Sequence, residues 1–280
     1  MSARQELKVL KRSALVPPPV LSIDHATLAY GENTIWSDLS IDIAPGEFVA
    51  IIGTNGSGKT SLLRAILGEE HLASGTITIA GKPAGHGSRD IGYIPQHRGI
   101  DPSTPMRARD LLSLGLNGHK FGLPWGGSKE KARVNHILDC IEGHELANLP
   151  VGLLSGGQFQ RFRVGQAVIA EPDLILADEP LSALDLTQQS IIADLIDQER
   201  KDHNAAVLFV THDVNPVLHM VDRVLYLAGG KFKIGTPDEV LRSDVLSELY
   251  GSPIDVVRNQ GRVVVVGTRD HDHHPNEEWH

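Results

Sequence analysis

The amino-acid sequence predicts an α/β fold with a mixed or parallel core sheet. Three short apolar runs, residues 48–52, 174–177 and 207–210, have the length and composition of strands that are buried on both faces. A helical pattern over residues 186–199 separates the last two runs, and this βαβ order is typical of a parallel sheet. A fourth apolar run, residues 263–266, is also expected to be a buried strand.

Composition places the chain among ordinary globular proteins. Its 280 residues are 41% hydrophobic and 22% charged, which lies outside the range typical of disordered chains. No apolar run reaches the ~18 residues that a membrane-crossing helix needs, so a transport function would require a separate membrane partner. The formal net charge of -9 argues against nucleic acid as a partner. The one cysteine, Cys140, cannot form an internal disulfide.

The other predicted elements follow in order along the chain. Residues 1–19 end in three prolines and are expected to form an N-terminal tail that leads into the domain. Strand patterns separated by turn residues come next, with helices between some of them. In chain order we expect strands at 21–28 and 39–43, a helix at 61–67, strands at 74–80 and 91–94, a helical region at 105–149 and a hairpin at 223–234.

A glycine-rich segment follows the strand at 48–52 and precedes a helix. It matches the complete P-loop pattern, with the residues Gly53, Thr54, Asn55, Gly56, Ser57, Gly58, Lys59 and Thr60. Backbone N–H groups and the helix N-terminus are expected to surround the phosphates of ATP. Lys59 would contact the β- and γ-phosphates, Thr60 would bind Mg²⁺, and Ser61 would contact the α-phosphate. The alternative is a glycine-rich turn with an unrelated lysine.

Two acidic residues, Asp178 and Glu179, follow the predicted strand at 174–177. In open parallel sheets, ligands bind at the carboxyl ends of the strands. Asp178 is therefore expected to hold Mg²⁺, and Glu179 is expected to polarise the water that attacks the γ-phosphate. An acidic pair at the start of a helix is the alternative. The P-loop upstream favours the catalytic interpretation.

One segment indicates which family of P-loop proteins the chain resembles. Residues 154–158, Leu-Ser-Gly-Gly-Gln, resemble the signature motif of ABC ATPases and lie between the P-loop and the acidic strand end, as in that family. In the family this segment grips ATP held by the opposite subunit, and a helix N-terminus suits such a contact. The alternative is an unrelated Ser-Gly-Gly turn. The resemblance implies the trans contact for Ser155, Gly156, Gly157 and Gln158.

The resemblance covers about residues 20–250 and implies roles for four further residues. Tyr30 would stack on adenine, with a core tyrosine at a strand end as the alternative. Gln96 would contact Mg²⁺ or the attacking water. Asp185 would communicate across a dimer, and His212 would contact the γ-phosphate.

The resemblance also implies the P-loop NTPase fold of ABC ATPases, with an antiparallel β subdomain and a helical subdomain beside the core sheet. The ATPase domain is expected at residues 20–243, with its helical subdomain at about 100–165. Residues 244–269 would form a C-terminal extension ahead of a His-rich tail at 270–280. Gly165 departs from the family pattern and is expected to weaken its helix by about 1 kcal/mol, which would alter packing without removing activity.

ABC ATPases hydrolyse ATP to ADP and phosphate as head-to-tail dimers, so the resemblance implies a homodimer that uses ATP and Mg²⁺. Closure of the dimer would complete the charge-stabilising site. The implied catalytic residues are Glu179, His212, Gln96 and Lys59. The implied Mg²⁺ ligands are Thr60, Gln96 and Asp178.

The cargo is indicated by residues 96–101 and 118–119, which resemble the zinc and manganese importer branch. This resemblance implies a subunit at the cytoplasmic face of the membrane, bound to a separate permease, with an extracytoplasmic substrate-binding protein as an indirect partner. Residues 249–253 and a predicted hairpin at 254–266 are also similar to iron-chelate, haem and cobalamin importers, which remain the alternative. A soluble ABC ATPase of DNA repair or translation is a further alternative.

The last residues of the chain concentrate histidines among acidic neighbours. Imidazoles and carboxylates are competent Zn²⁺ ligands, so His271, His273 and His274 are candidate zinc ligands. A solvated, disordered terminus is the alternative, because nothing apolar would anchor this tail.

Overall fold

Strands and helices alternate along most of the chain, for which the computed structural model describes residues 17–85, 90–96, 104–117 and 127–267. The strands are β1 (Leu21–Tyr30), β2 (Asn33–Ile43), β3 (Phe48–Gly53), β4 (Ser74–Ile79), β5 (Lys82–Pro83), β6 (Ile91–Ile94), β7 (Leu174–Asp178), β8 (Ala206–Val210), β9 (Arg223–Ala228), β10 (Lys231–Gly235), β11 (Ile254–Asn259) and β12 (Arg262–Gly267). The α-helices are α1 (Lys59–Ile66), α2 (Ala108–Asn117), α3 (Ser128–Cys140), α4 (Gly156–Val168), α5 (Leu186–His203), α6 (Pro237–Val240) and α7 (Ser243–Tyr250).

Five parallel strands form the centre of the largest sheet in these ranges. The strand order is β10-β9-β3-β8-β7-β6, and β10 is antiparallel at one edge. The central strand β3 is buried on both faces, because Phe48 and Ala50 pack among helices while Val49 and Ile51 pack toward a second sheet. The predicted mixed core sheet is therefore confirmed.

The second sheet is antiparallel and has the order β2-β1-β4-β5. Its inward residues include the fully buried Trp36 and Leu39, and these share a core with Leu62 and Leu63 of α1. The antiparallel sheet and α1 thus cover one face of the central sheet. This arrangement confirms the predicted antiparallel β subdomain.

The other face of the central sheet carries the helices α2 to α5, and three of them meet at Gly165. A Cβ atom on Gly165 in α4 would lie 2.7 Å from Cγ2 of Ile137 in α3 and 2.9 Å from Cδ2 of Leu112 in α2. Both neighbours are fully buried. The glycine that departs from the family pattern therefore lets three helices approach closely. The exact bounds of the helical subdomain stay a prediction.

The prediction of a buried strand at residues 263–266 is wrong in part. These residues lie in β12, which pairs only with β11 among the described strands. Val263 is buried, but Val264, Val265 and Val266 are 51%, 39% and 46% exposed. The reason is that a two-stranded sheet has one covered face at most, whereas a run of four valines occupies both faces. The predicted hairpin itself is confirmed.

Replacing Gly165 by alanine is expected to destabilise the protein, although alanine is the better helix former. Overpacking costs typically 1–3 kcal/mol and the gain in helix propensity is about 1 kcal/mol, so we expect a net loss of about 1 kcal/mol in the free energy of unfolding. Denaturant unfolding would measure it. The control is Gly157→Ala in the same helix, where a Cβ would meet Gln188 and Leu184 at an ordinary 3.4 Å. Equal stability of the two variants would contradict the packing argument.

Candidate active site

The site lies where four neighbouring parallel strands end. β3 runs into the P-loop, β6 is followed by Gln96, β7 ends at Asp178 ahead of Glu179, and β8 is followed by Thr211 and His212. Because β3, β8, β7 and β6 are adjacent and parallel, their carboxyl ends meet at one edge of the sheet. Residues far apart in the sequence are thereby brought together.

The P-loop turns between β3 and α1, and Gly58 is the residue that permits the turn. Its φ is 90°, and a Cβ atom would lie 2.3 Å from Cγ2 of Ile35. Only glycine combines this left-handed conformation with so close an approach. The neighbouring Ser57 is buried, and its hydroxyl has no hydrogen-bond partner among the described residues. The turn therefore holds an unsatisfied polar group beside its backbone.

Lys59 lies at the start of α1 and folds back onto the P-loop. Its Nζ donates hydrogen bonds of 2.9 Å to the carbonyl oxygens of Gly53 and of Thr54. Burial lowers the pKa of Lys59, while the negative charges of Glu179 and Asp178 oppose that shift. An ammonium group has three N–H donors, so these two bonds do not exhaust its capacity. The charge lies close to both acidic residues.

Asp178 lies at the end of β7, opposite the first turn of α1. The Thr60 hydroxyl donates a 3.3 Å hydrogen bond to Oδ1 of Asp178. Burial raises the pKa of Asp178, and the Thr60 hydrogen bond and the Lys59 charge offset this effect only in part. Two of the three groups that were predicted to bind a Mg²⁺ ion are therefore adjacent.

Glu179 is in contact with two of the three other predicted catalytic residues. Its Oε2 accepts a 3.2 Å hydrogen bond from Nε2 of Gln96 and lies 3.8 Å from Nδ1 of His212. Its φ is 48°, a conformation that costs energy in a non-glycine residue and is common at functional sites. A hydrogen bond of 3.0 Å from its backbone N–H to the Val210 carbonyl holds this conformation in place.

Tyr30 ends β1 at the rim of the site and is 47% exposed. Its hydroxyl lies 3.5 Å from Oγ of Ser61 in α1. This exposure disfavours the alternative of a core tyrosine, because its ring is not enclosed. The position beside α1 is consistent with the predicted contact to adenine, which stays a prediction.

The signature segment, residues 154–158, begins helix α4 with a reciprocal cap. The Ser155 hydroxyl accepts a hydrogen bond from the Gln158 backbone N–H at 3.3 Å, and the Gln158 side chain accepts one from the Ser155 N–H at 2.9 Å. This capping box satisfies two helix-terminal donors. Asp185 has a similar local role, since its side chain caps α5 by accepting a 2.9 Å bond from the Gln188 N–H.

Gln160 is a residue of the site region that the sequence analysis missed. It is almost fully buried in α4, and its Nε2 donates a 3.3 Å hydrogen bond to the carbonyl oxygen of Pro180, next to Glu179. The signature helix and the acidic turn are therefore joined directly. A glutamine in a helix does not by itself indicate this contact, because its partner lies twenty residues away.

Some predicted features lie outside the described residues. They include the zinc ligands His271, His273 and His274 and most of the segments at 96–101 and 118–119 that indicate the cargo. Within the described ranges, no helix is long and apolar enough to cross a bilayer.

The chain matches a known protein family over more than half of its length. The family model described as "ABC transporter" matches residues 36–182, which is more than half of the chain. The chain belongs to the ABC transporter family. Family membership, together with the fold, confirms the predicted ABC-ATPase architecture and the assignment to the ATP-hydrolysing subunits of such transporters.

Two curated relatives of this ABC family member are similar over most of their length. The zinc import ATP-binding protein ZnuC of Roseobacter denitrificans is 37% identical over 233 residues, which cover 83% of this chain and 85% of the relative. The manganese transport system ATP-binding protein MntB of Halalkalibacterium halodurans is 30% identical over 251 residues, which cover 89% and 98% of the two chains.

Two solved structures of ABC proteins have the same fold as this family member. A chain of a metal-chelate type ABC transporter, described in an inward-facing conformation, is 28% identical with a TM-score of 0.73, and the match covers 90% of this chain and 98% of that one. An ATP-binding cassette described as a dimeric post-hydrolysis state bound to ADP and phosphate is 27% identical with a TM-score of 0.65, at coverages of 76% and 97%.

Replacing Asp178 by asparagine is expected to raise the melting temperature of the nucleotide-free protein at neutral pH. Burial raises the pKa of the Asp178 carboxyl group on folding, so this group makes the protein less stable as the pH rises from the ordinary pKa to the raised pKa. Above that pH range, the buried negative charge destabilises the folded protein. Asparagine keeps the oxygen that accepts from Thr60. Thermal unfolding would measure the shift, with Asp255→Asn on the exposed face of β11 as the control. A lower melting temperature for Asp178→Asn would contradict the argument.

Proposed function

We propose that this chain is the ATP-hydrolysing subunit of an importer that carries zinc or manganese through a separate membrane permease. The observation that carries the catalytic part is the position of Glu179, which contacts Gln96 and lies beside His212, next to the Thr60–Asp178 pair. The cargo is supported by the similarity to a zinc import protein and a manganese transport protein.

The P-loop is suited to the phosphates of ATP. The Ser57 hydroxyl is a buried polar group that needs a partner, and an incoming phosphate oxygen would supply one. The Lys59 ammonium is already centred in the turn and can turn a donor toward the β- and γ-phosphates. The other proposed ATP contacts, from Gly53 through Ser61, lie along the same turn, and the Tyr30 ring would stack on adenine beside them.

The residues at the end of β7 also fit a magnesium ion. Mg²⁺ prefers hard oxygen ligands and is usually held by one or two protein groups plus phosphate oxygens. The Thr60 hydroxyl and the Asp178 carboxylate form such a pair, and Gln96, which donates a hydrogen bond to the adjacent Glu179, is the third proposed ligand. When bound, Mg²⁺ would neutralise charge on the β- and γ-phosphates.

Glu179 is the proposed general base for the attacking water. Its Oε2 accepts a hydrogen bond from the Gln96 amide, which restricts the orientation of the carboxylate, and His212 lies 3.8 Å away, beyond hydrogen-bond distance. Lys59 and His212 would stabilise the negative charge that develops on the γ-phosphate. Glu179 therefore orients water, while its neighbours act on the phosphate.

Replacing Glu179 by glutamine should preserve ATP binding and remove turnover. The amide has nearly the same size as the carboxylate but cannot accept a proton from water, so we expect kcat to fall by at least about 100-fold with little change in ATP affinity. Phosphate release and ATP-binding assays would measure the two effects, with Glu145→Gln at an exposed position as the control. Near-normal hydrolysis would remove Glu179 from this role.

Hydrolysis is proposed to need a second copy of the chain, facing the first head to tail. The packing around Gly157 supports this proposal, because the chain itself would accept a Cβ there at ordinary contact distances. A glycine that costs helix stability without an internal steric reason is suited to close approach of an external group, such as the γ-phosphate on the opposite subunit. The ADP-bound relative described as dimeric also supports it.

Gly157→Ala is expected to leave folding and ATP binding by single subunits unchanged but to reduce turnover and nucleotide-driven dimerisation. The added methyl group would occupy the space that the opposite subunit's nucleotide needs, and we expect at least about a tenfold loss of kcat. Size-exclusion chromatography of the Glu179→Gln protein with and without Gly157→Ala would follow dimerisation. The control is Gly127→Ala at the start of α3, where the Cβ would meet nothing within 4 Å. Unchanged turnover and pairing would overturn the proposed dimer.

The proposed location is the cytoplasmic face of the membrane, where the permease would hold the subunit and a substrate-binding protein would act on the other side. A metal chelate is the second candidate cargo, because the solved structure with the same fold at 28% identity is described as a metal-chelate type transporter. The similarities to zinc and manganese proteins reach 37% and 30% identity and favour the free metal ion.

A further inference from the structure

The C-terminal hairpin, residues 254–267, is bound directly to the segment that carries His212. Asn215 lies three residues after His212, and its side chain makes two hydrogen bonds to a single residue of β12. Its Oδ1 accepts from the Val263 N–H at 2.8 Å, and its Nδ2 donates to the Val263 carbonyl at 2.9 Å. The amide group therefore pairs with β12 as one residue of a neighbouring strand would.

The backbone N–H and C=O of Val263 that make these two bonds are not used in the pairing of β11 with β12. In an antiparallel pair, the N–H and the C=O of a residue point to the same side, and Val263 turns both toward Asn215. The side chain of Val263 is buried in the same cluster as Val214 and Val217, which flank Asn215. The contact thus combines apolar packing with a pair of hydrogen bonds.

Asn215 is also fixed to the residues beside His212. Its Nδ2 and its backbone N–H both donate to Oδ1 of Asp213, at 2.7 Å and 2.9 Å. The Thr211 hydroxyl in turn donates to the Asp213 carbonyl at 2.6 Å and accepts from the Asp213 N–H. Both N–H donors of the Asn215 amide are used. The residues on either side of His212 therefore belong to one hydrogen-bonded turn.

The opposite strand of the hairpin is attached to the body of the domain. The backbone N–H groups of Ile254 and Val256 donate to the hydroxyls of Ser247 and Ser243 in α7, each at 2.9 Å. Arg258 donates to Asp238 at 2.6 Å. β11 is thus held by α6 and α7, while β12 holds the His212 turn.

We infer that the C-terminal hairpin positions His212 for ATP hydrolysis, with Asn215 as the positioning residue that joins them. The His212 side chain is 67% exposed, and its Nδ1 lies 3.8 Å from the Glu179 carboxylate, beyond hydrogen-bond distance. Its own contact with Glu179 therefore does not fix its orientation. The hydrogen-bonded turn sets the backbone position of His212, and the hairpin holds this turn in place. This inference rests on the proposed role of His212.

A double-mutant cycle of Asn215 and His212 tests the inference. Asn215→Ala is expected to lower kcat about tenfold, because small displacements of a catalytic group have large effects, while KM for ATP changes less than about twofold. In the His212→Ala background the same change should cause no further loss, since Asn215 acts only through His212. A full additional loss in that background, or an unchanged kcat in the single variant, would overturn the inference.

Two further variants keep the test decisive if Asn215→Ala folds poorly. Asn215→Asp has the same size but turns an oxygen toward the Val263 carbonyl and the Asp213 carboxylate. Val263→Pro removes the backbone N–H that donates to Asn215 and leaves the hydrogen bonds between β11 and β12 intact. Both should reproduce the loss of kcat, and Asn259→Ala at the turn of the same hairpin should not. Normal kcat in both folded variants would overturn the inference.

The outcomes separate this inference from the proposed function. If His212→Ala hydrolyses ATP as fast as the unmodified protein, the proposed role of His212 fails, and the inference fails with it. If His212→Ala is slow and the Asn215 and Val263 variants are fast, the proposed function stands and the positioning role alone is excluded.

Discussion

The parallel alignment of β3, β8, β7 and β6 is the constraint on which the site depends. Each strand delivers one group at its carboxyl end, and the groups can act together only if the four ends lie level. A shift of one residue would move a side chain by about 3.3 Å and turn it to the opposite face. The buried faces on both sides of β3 prevent such a shift, because every residue from Phe48 to Ile51 is fully enclosed.

The site itself carries features that weaken the fold. Lys59 is a buried cation, Asp178 is a buried carboxylate with a raised pKa, and Glu179 has a left-handed backbone. Local contacts reduce these costs, such as the two carbonyl oxygens that accept from Lys59 and the Val210 carbonyl that accepts from the Glu179 N–H. A left-handed backbone and two buried charges that coincide in one place are typical of a site shaped for a ligand.

Two amide side chains connect the site to other parts of the molecule. Gln160 joins the signature helix to the Pro180 carbonyl, and Asn215 joins the His212 turn to the C-terminal hairpin. Each of these hydrogen bonds is favourable only over a narrow range of distance and angle, so it restricts the relative positions of the elements that it joins. A movement of the signature helix would therefore also displace the acidic turn, and a movement of the hairpin would also displace the segment that carries His212.

The sequence by itself determined the central strands, the P-loop, the acidic pair and the family, because these are local patterns whose chemistry depends on neighbouring residues. The contact between Glu179 and Gln96 could be anticipated only through the family resemblance. Tertiary structure alone decided why Gly165 is a glycine, which valines of β12 are exposed, and what Gln160 and Asn215 bind. Each of these depends on a surface that another element presents, and that surface exists only once the chain has folded.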